Sequence, residues 1–253
     1  MSSTPARKEE VTLNKSIKNS RLHSDCVFLC IGALLLFTLL VIEIAIYFLH
    51  VLHANILLRL LQAVFSCAVL YCGAYLHRHR THSDKVLRTC FYVFFAVYLY
   101  LLLSMTLLDE TLGRSGNSIY RLLSEGARIQ YISRFVNLIP FQSIYKVYIL
   151  GCFNGYVNLY YTLLNLLGNV VAFMPLAFFL PYFFRSLRKW YSYLAVVVGA
   201  VFLIELLQFV FMVGSCDVDD LLLNAGGSML MYAILRIPPI QRLTRLLTGA
   251  DIR

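Results

Sequence analysis

One apolar run decides the fold: residues 191–213 read YSYLAVVVGAVFLIELLQFVFMV. As a helix with a rise of about 1.5 Å per residue, this run is long enough to cross a hydrocarbon core of ~30 Å. It also carries Glu205 and Gln208, one helical turn apart. An acid at membrane depth costs about 2.5–3.5 kcal/mol and usually faces a cavity or a partner. The run therefore predicts a transmembrane helix with a functional or paired acid.

The composition extends this prediction to the whole chain. Of 253 residues, 60% are hydrophobic and only 14% are charged, which is too few charges for an ordinary water-facing surface. Runs long enough to span a bilayer are Val27–Leu49, Ile56–Leu76, Cys90–Leu108, Tyr160–Leu180, Tyr191–Val213 and Asp219–Arg236. We predict an all-α, polytopic transmembrane helical bundle of about six spans.

The positions of the cations predict the orientation. Lysines and arginines near the ends of spans tend to lie on the cytoplasmic side of the membrane. If both the N-terminus and the C-terminus are cytoplasmic, most of the 22 in this chain lie on that side. The net charge of +9 is then a topology signal of a multi-pass protein of the cell membrane. We expect no nucleic-acid partner, because the cations form no stripe interleaved with exposed aromatic residues.

Five segments follow from this topology. They are a basic cytoplasmic segment (1–25), a three-span helical part (26–108), an extracytoplasmic interfacial loop (109–159), a region with the last three spans (130–236), and a basic cytoplasmic tail (237–253). We expect the tail to form a short amphipathic helix over Ile240–Leu247.

The long loop is predicted to lie along the membrane. Apolar residues recur at helical spacing among charged ones, which favours a helix at the headgroups; they are Leu112, Ile119, Leu122, Leu123, Ile129 and Ile132. The following piece, Phe135–Phe141, is too short to span and contains Pro140, so we predict an interfacial or re-entrant segment.

Polar side chains on the last three spans should converge. At 1.5 Å per residue from the outer span ends, they lie roughly 8–14 Å deep; they are Asn165, Asn169, Glu205, Gln208 and Asn224. Spacings of three and four residues put each pair on one side of its helix, and short connections make these helices neighbours. The acidic turn Asp217-Val218-Asp219-Asp220 follows the fifth span.

Simpler interpretations stay open for several of these residues. Buried carboxamides often hold helices together, at about 0.6 kcal/mol each. The acidic turn could cap the sixth helix, whose N-terminus favours negative charge. Glu43 and Arg59 have similar depths on adjacent spans, and we expect them to form a structural ion pair.

Four ordered blocks resemble those of the VanZ-like family of membrane proteins over about residues 130–236. The blocks are Arg134-x-x-Asn137-Leu138-Ile139-Pro140-Phe141, then Asn165-x-x-Gly168-Asn169-x-x-x-Phe173-x-Pro175, then Glu205-x-x-Gln208, then Asp217-Val218-Asp219-Asp220-x-x-x-Asn224-x-x-Gly227. The resemblance implies a protein related to the accessory factor for teicoplanin resistance in bacteria. One departure is Val213-Gly214-Ser215-Cys216, where family members often carry an arginine before the acidic turn.

The first functional hypothesis is a site for an envelope lipid, cell-wall precursor or glycopeptide-related ligand at the outer membrane face. Glu205 and Asp220 are its catalytic candidates, and Glu205 would act as base or proton carrier. Arg134 would bind a phosphate oxygen. The other candidate ligand-binding residues are Asn137, Asn165, Asn169, Gln208, Asp217 and Asn224. Whether the site catalyses a reaction stays open.

Two alternatives remain. A proton-linked transporter or flippase would use Glu205 as its titrating site, although no repeated half is visible. A scaffold without chemistry would use every polar pair for packing. We assign no metal and no cofactor, because Asp-x-Asp-Asp lacks the glycine turn and distal glutamate of a calcium loop. Cys152 and Cys216 both fall on the predicted outer side, where a disulfide could persist. Membrane lipids are the expected partners, and the sequence leaves the oligomeric state open.

Overall fold

A computed structural model describes residues 26–42, 56–108, 124–151, 154–156 and 158–250. Several predictions lie wholly or partly outside these residues, among them the basic segment 1–25, the partner Glu43 of Arg59, and the part of the interfacial helix that contains Leu112 and Leu123. The chain divides into two compact units, Met1–Val97 and Tyr98–Arg253.

The first unit contains two closely packed helices, α1 (Cys26–Ile42) and α2 (Ile56–Thr81). Glycines permit this approach, because a Cβ on Gly32 would lie 2.5 Å from the Leu70 side chain. The α2 helix ends in a basic turn, where Arg78 pairs with Asp84 at 2.7 Å. A third helix, α3 (Lys85–Leu103), begins in this unit.

The second unit is helical apart from two short strands. Its elements are a π-helical turn (Ser104–Leu108), α4 (Glu125–Phe135), β1 (Val136–Asn137), a second π-helical turn (Ile144–Leu150), α5 (Leu159–Ala172), α6 (Leu176–Phe183), a 3-10 turn (Arg185–Arg188), α7 (Trp190–Phe211), β2 (Cys216–Asp217), α8 (Val218–Ile234) and α9 (Pro238–Thr248). The all-α class is confirmed.

Among the described residues, four helices are long and apolar enough to cross a membrane. They are Leu58–Thr81, Lys85–Leu107, Asn165–Phe183 and Trp190–Phe211. A fifth span is obtained if α8 and α9, which meet at a bend of 87°, count as one. Helix α1 is shorter, and the rest of the predicted span Val27–Leu49 lies outside the described residues. Six spans therefore remain a prediction.

The predicted span Tyr160–Leu180 is one helical stretch that an irregular turn divides into two α-helices. Helix α5 ends at Ala172, and α6 begins at Leu176 after the turn that contains Pro175. Proline has no backbone N–H and cannot continue the ladder of the preceding turn. The amide N–H of Leu176 instead donates to the Phe173 carbonyl at 3.1 Å.

Helix α8 is the centre of the second unit and packs against α5, α6 and α7. Its approach to α5 is very close, because a Cβ on Gly227 would lie 1.9 Å from the Val170 carbonyl oxygen. Helix α7 presents one buried face, and its residues recur at helical spacing: Tyr193, Val197, Val201, Ile204, Glu205 and Gln208. The predicted acid of the apolar run is thus buried against protein.

The segment after α4 is tied to the turn before α8. Strands β1 and β2 pair in parallel, with Val136 opposite Cys216 and Asn137 opposite Asp217. The tip of the segment leaves Leu138 and Ile139 exposed. This arrangement agrees with a short, non-spanning piece over Phe135–Phe141.

The tail helix extends slightly beyond its predicted bounds of Ile240–Leu247. In α9, the polar residues Gln241, Thr244 and Thr248 are buried, whereas Leu243 and Leu246 are exposed. An exposed apolar face is expected of a helix that contacts lipid.

Candidate functional site

A cavity of about 300 Å³ lies within the second unit, between α5, α7 and α8. Six polar residues that the sequence singled out line it: Asn165, Asn169, Glu205, Gln208, Asp220 and Asn224. Tyr131, Phe135 and Phe173 supply aromatic surface. The predicted convergence of polar side chains from the last three apolar segments is therefore present in the structure.

Glu205 and Gln208 are one turn apart in α7, so they lie on the same side of the helix. This side faces the cavity. Glu205 is only 7% exposed, and its Oε2 accepts a hydrogen bond from the backbone N–H of Asp217 at 3.2 Å. The Gln208 side chain donates from Nε2 to the Thr106 carbonyl at 2.9 Å. Both side chains are thus fixed by backbone groups from other elements.

The carboxamides of α5 and α8 meet at Asp220. Asn169 donates from Nδ2 to the Asp220 carboxylate. Asn224 donates from Nδ2 to the Asp220 backbone carbonyl at 2.7 Å, one helical turn before it. Asn169, Gln208 and Asn224 therefore each donate one amide N–H to a protein acceptor.

One side-chain atom of a residue that lines the cavity is buried without a hydrogen-bond partner. The Asn224 side chain is only 5% exposed, and its Oδ1 has no hydrogen-bond donor among the described residues. A buried polar atom without a partner costs about 1–3 kcal/mol.

Burial and nearby negative charge raise the pKa values of two groups that lie outside the predicted spans. Burial, followed by the charges of Glu205, Asp217 and Asp220, raises the pKa of the Cys216 thiol above its usual value. Burial and the nearby Cys216 and Glu205 raise the pKa of Tyr131 to about 12. The cavity side of the acidic turn is electronegative.

Two predicted ligand-binding residues, Asn137 and Asp217, do not line the cavity. Asn137 donates from Nδ2 to the Asp217 carboxylate at 2.9 Å and to the Ser143 hydroxyl at 3.0 Å. Ser143 also donates from its hydroxyl to Asp217. These side chains join the segment after β1 to the start of α8.

The acidic turn caps α8, which is one of the interpretations that the sequence left open. Asp217 is the N-cap, and its Oδ1 accepts the Asp219 N–H at 2.9 Å. Asp219 is fully buried and accepts backbone N–H groups from Phe141, Ser143 and Ile144. Only Asp220 of the three aspartates lines the cavity.

Arg134 is exposed near the end of α4 and is not among the residues that line the cavity. Its contact with a phosphate stays a prediction. The described residues contain no cluster of three His, Cys, Asp or Glu side chains able to hold a metal ion. Cys216 is a free thiol, and Cys152 lies outside the described residues.

Sequence reasoning missed Thr106, Tyr131, Ser143 and the structural role of Asp219. Tyr131 reaches α7, where its hydroxyl donates to the Gln208 carbonyl at 3.3 Å. Ser143 had no motif or periodicity to mark it. Capping of the sixth helix by the acidic turn was an open interpretation of the sequence, but the hydrogen bonds of Asp219 to backbone amides of residues 141–144 had no signal in the sequence.

Apolar helices around a polar cavity define an all-α membrane protein with a candidate binding site. The chain matches the VanZ/LLP1 family over residues 89–239 and belongs to that family. The match includes most of α3 and so begins well before residue 130, where the motif blocks begin. The chain matches no curated protein and no solved structure.

Proposed function

We propose that this protein works at the outer face of the cell membrane as a multi-pass protein. Its cavity binds or modifies an envelope lipid or cell-wall component, and this activity modulates susceptibility to glycopeptides such as teicoplanin. The single observation that carries the proposal is the convergence of six polar side chains on one cavity between apolar helices.

The open space between the polar side chains favours a working site over helix packing alone. Polar residues that only join helices hydrogen-bond across a close contact between the helices. Here the polar side chains surround a volume of about 300 Å³, which is at the lower end for ligand pockets. One water molecule occupies about 30 Å³ in the liquid, so the cavity has room for a group of several water volumes. A headgroup or a sugar has about this size, whereas an entire lipid is larger.

The orientation supports an outer-face site. With the N-terminus in the cytoplasm, α7 runs outward, and Glu205 and Gln208 lie near its outer end. The cavity then opens toward the leaflet in which glycopeptide targets are displayed. Glu205 is the proposed base or proton carrier, and Asp220 is its proposed partner in the reaction.

Teicoplanin susceptibility in a Gram-positive host tests this proposal. The host expresses wild type, Glu205→Gln, Asp220→Asn or the control Glu125→Gln, each at the same level in the membrane. Glu125 is an exposed acid at the start of α4, so its replacement removes the same charge outside the cavity. Glutamine at 205 keeps an oxygen that can accept the Asp217 N–H.

We expect wild type and Glu125→Gln to raise tolerance equally, and the two cavity variants to lose most of the effect. Equal tolerance in all four strains would assign the cavity residues to packing. No effect of wild type would separate this protein from a role in glycopeptide tolerance.

A further inference from the structure

The turn before α7 and the end of α8 meet on the side of the second unit away from the cavity. The Tyr232 hydroxyl of α8 donates to the Arg188 carbonyl at 2.8 Å, and Arg236 donates from Nη2 to the same oxygen at 2.6 Å. Trp190, the first residue of α7, lies about 22 Å along the helix from Glu205. Because α9 begins at the second residue after Arg236, the basic turn lies next to the start of α9.

The two segments around this contact carry cations and no acids. Residues 181–204 and 221–250 contain six lysines and arginines and no aspartate or glutamate. Arg185, Lys189 and Arg242 of this set are exposed, and we call these three residues the basic patch. Cations beside a membrane span attract anionic headgroups, by about fivefold for each Lys or Arg near the surface. The charge of the basic patch therefore fits an anionic partner.

Helix α9 adds apolar surface beside these cations. Leu243 and Leu246 are 56% and 64% exposed, and Leu247 is also exposed. At about 100° per residue, these three leucines form one stripe along α9, and Arg242 lies at its edge. A leucine stripe bordered by arginine is typical of a helix that lies at the headgroups with its apolar side toward the acyl chains.

The bend between α8 and α9 gives α9 the orientation that such a contact requires. Helix α8 has 17 residues, and α9 leaves it at 87°. When α8 crosses the bilayer, α9 therefore lies in the plane of the membrane. Trp190 and Tyr191, directly after the basic turn, are both more than half exposed. Exposed Trp and Tyr are typical of the boundary between hydrocarbon and water.

We propose that the basic patch and the leucine stripe of α9 form a binding surface for anionic phospholipids. The cations pair with the negatively charged headgroups, and the leucines lie against the upper part of the acyl chains. In the orientation with a cytoplasmic N-terminus, this surface lies at the inner leaflet. The inference goes beyond the proposed function and does not depend on it, because the cavity residues of α7 are near the other end of that helix.

The sequence contains a single tryptophan, Trp190, which is a fluorescent probe of this surface. The full chain is placed in nanodiscs of phosphatidylcholine and phosphatidylglycerol, in which one lipid at a time carries brominated acyl chains. Bromine quenches tryptophan on contact, so the two series give the preference of the surface for the anionic lipid over the neutral one. A second protein, with Trp190→Phe and Leu243→Trp, places the same probe on the exposed side of α9.

We expect wild type to prefer phosphatidylglycerol by at least about fivefold, as for one cation near an anionic surface. The preference should approach one when Arg185→Gln and Lys189→Gln are combined. At the Leu243→Trp probe, addition of Arg242→Gln should lower the preference about two- to fivefold. High salt should remove most of the preference, because the Debye length falls from about 10 Å at 0.1 M to about 3 Å at 1 M.

Arg128→Gln is the matched control, because it removes an exposed cation of α4 that is outside the basic patch. It should leave the preference at Trp190 unchanged. Equal quenching of Trp190 by the two brominated lipids would overturn the inference, as would an equal loss of preference in Arg128→Gln and in the double variant. Absence of quenching at the Leu243→Trp probe by either lipid would assign the leucine stripe to another partner and would also overturn it. If Leu243→Trp does not fold, the measurement at Trp190 decides alone.

Discussion

Replacing Gly227 with alanine should force α8 away from α5. The added Cβ would lie 1.9 Å from the Val170 carbonyl oxygen and 2.7 Å from its carbonyl carbon. Real Cβ atoms essentially never approach other heavy atoms within 3.0 Å, so the first contact must open by about 1.1 Å. Because the obstacle is helix backbone and not a flexible side chain, the two helices must separate.

The cost of this separation can be worked from the contacts between the helices. A gap of 0.5–1 Å forfeits about a quarter to a half of each dispersion contact across it. Overpacking typically costs about 1–3 kcal/mol. The neighbouring hydrogen bond from the Ser228 hydroxyl to the Phe173 carbonyl, now 3.0 Å, would exceed hydrogen-bonding distance, at about 1 kcal/mol more. We therefore expect Gly227→Ala to lower the free energy of unfolding by about 2–4 kcal/mol.

Unfolding of the purified protein in mixed micelles, followed by circular dichroism as denaturing detergent is added, measures this change. Gly226→Ala is the matched control, because nothing lies within 4 Å of a Cβ at the preceding position. The control should be at least as stable as wild type, since alanine is the better helix former. Equal stability of the two variants would refute the close approach of α8 to α5.

Three further predictions concern the site. Asn224→Leu should abolish cavity function with little change in the free energy of unfolding in the same denaturation assay, because loss of the hydrogen bond to the Asp220 carbonyl offsets removal of an unpaired buried oxygen, at about 1 kcal/mol each; destabilisation by more than about 2 kcal/mol would contradict the orphan assignment. Asp219→Asn should speed hydrogen exchange at the Ser143 amide by about tenfold, since that amide donates to the lost carboxylate at 2.8 Å; unchanged exchange would show that the bond contributes little. In a variant that keeps Cys216 as its sole cysteine, maleimide should label this thiol slowly at pH 8 and faster when Glu205→Gln is added. Removal of the negative charge lowers the thiol pKa and increases the thiolate fraction; slower labelling in Glu205→Gln would contradict this reasoning.

Helices and the convergence of their polar faces are predictable from the sequence because both depend on local periodicity. The run that becomes α7 is apolar throughout, and the spacing of Glu205 and Gln208 fixes them on one side. Short connections then make α7 and α8 neighbours. Asn165, Asn169 and Asn224 follow from the same reasoning, and all three line the cavity.

Contacts between distant segments are not predictable in this way. The partner of Asn137 is Asp217, which lies 80 residues away, and the pairing of β1 with β2 involves only two residues in each strand. No periodicity marks strands so short. The structure pairs Asn137 with Asp217 outside the lining of the cavity, and their role in ligand binding stays a prediction.

The close approach of α8 to α5 also depends on tertiary structure. Gly226 and Gly227 are adjacent and chemically identical, yet only Gly227 faces the Val170 carbonyl. Which glycine allows the contact depends on the rotation of α8 about its axis. That rotation is set by the packing of several helices, and the sequence around the pair does not specify it.

The most direct test of a ligand-binding cavity is an experimental density map of the full chain in nanodiscs of host membrane lipid. The account predicts density for a ligand between Asn169, Glu205 and Asp220. A closed interface, in which these side chains contact one another and leave no space for a ligand, would contradict the account.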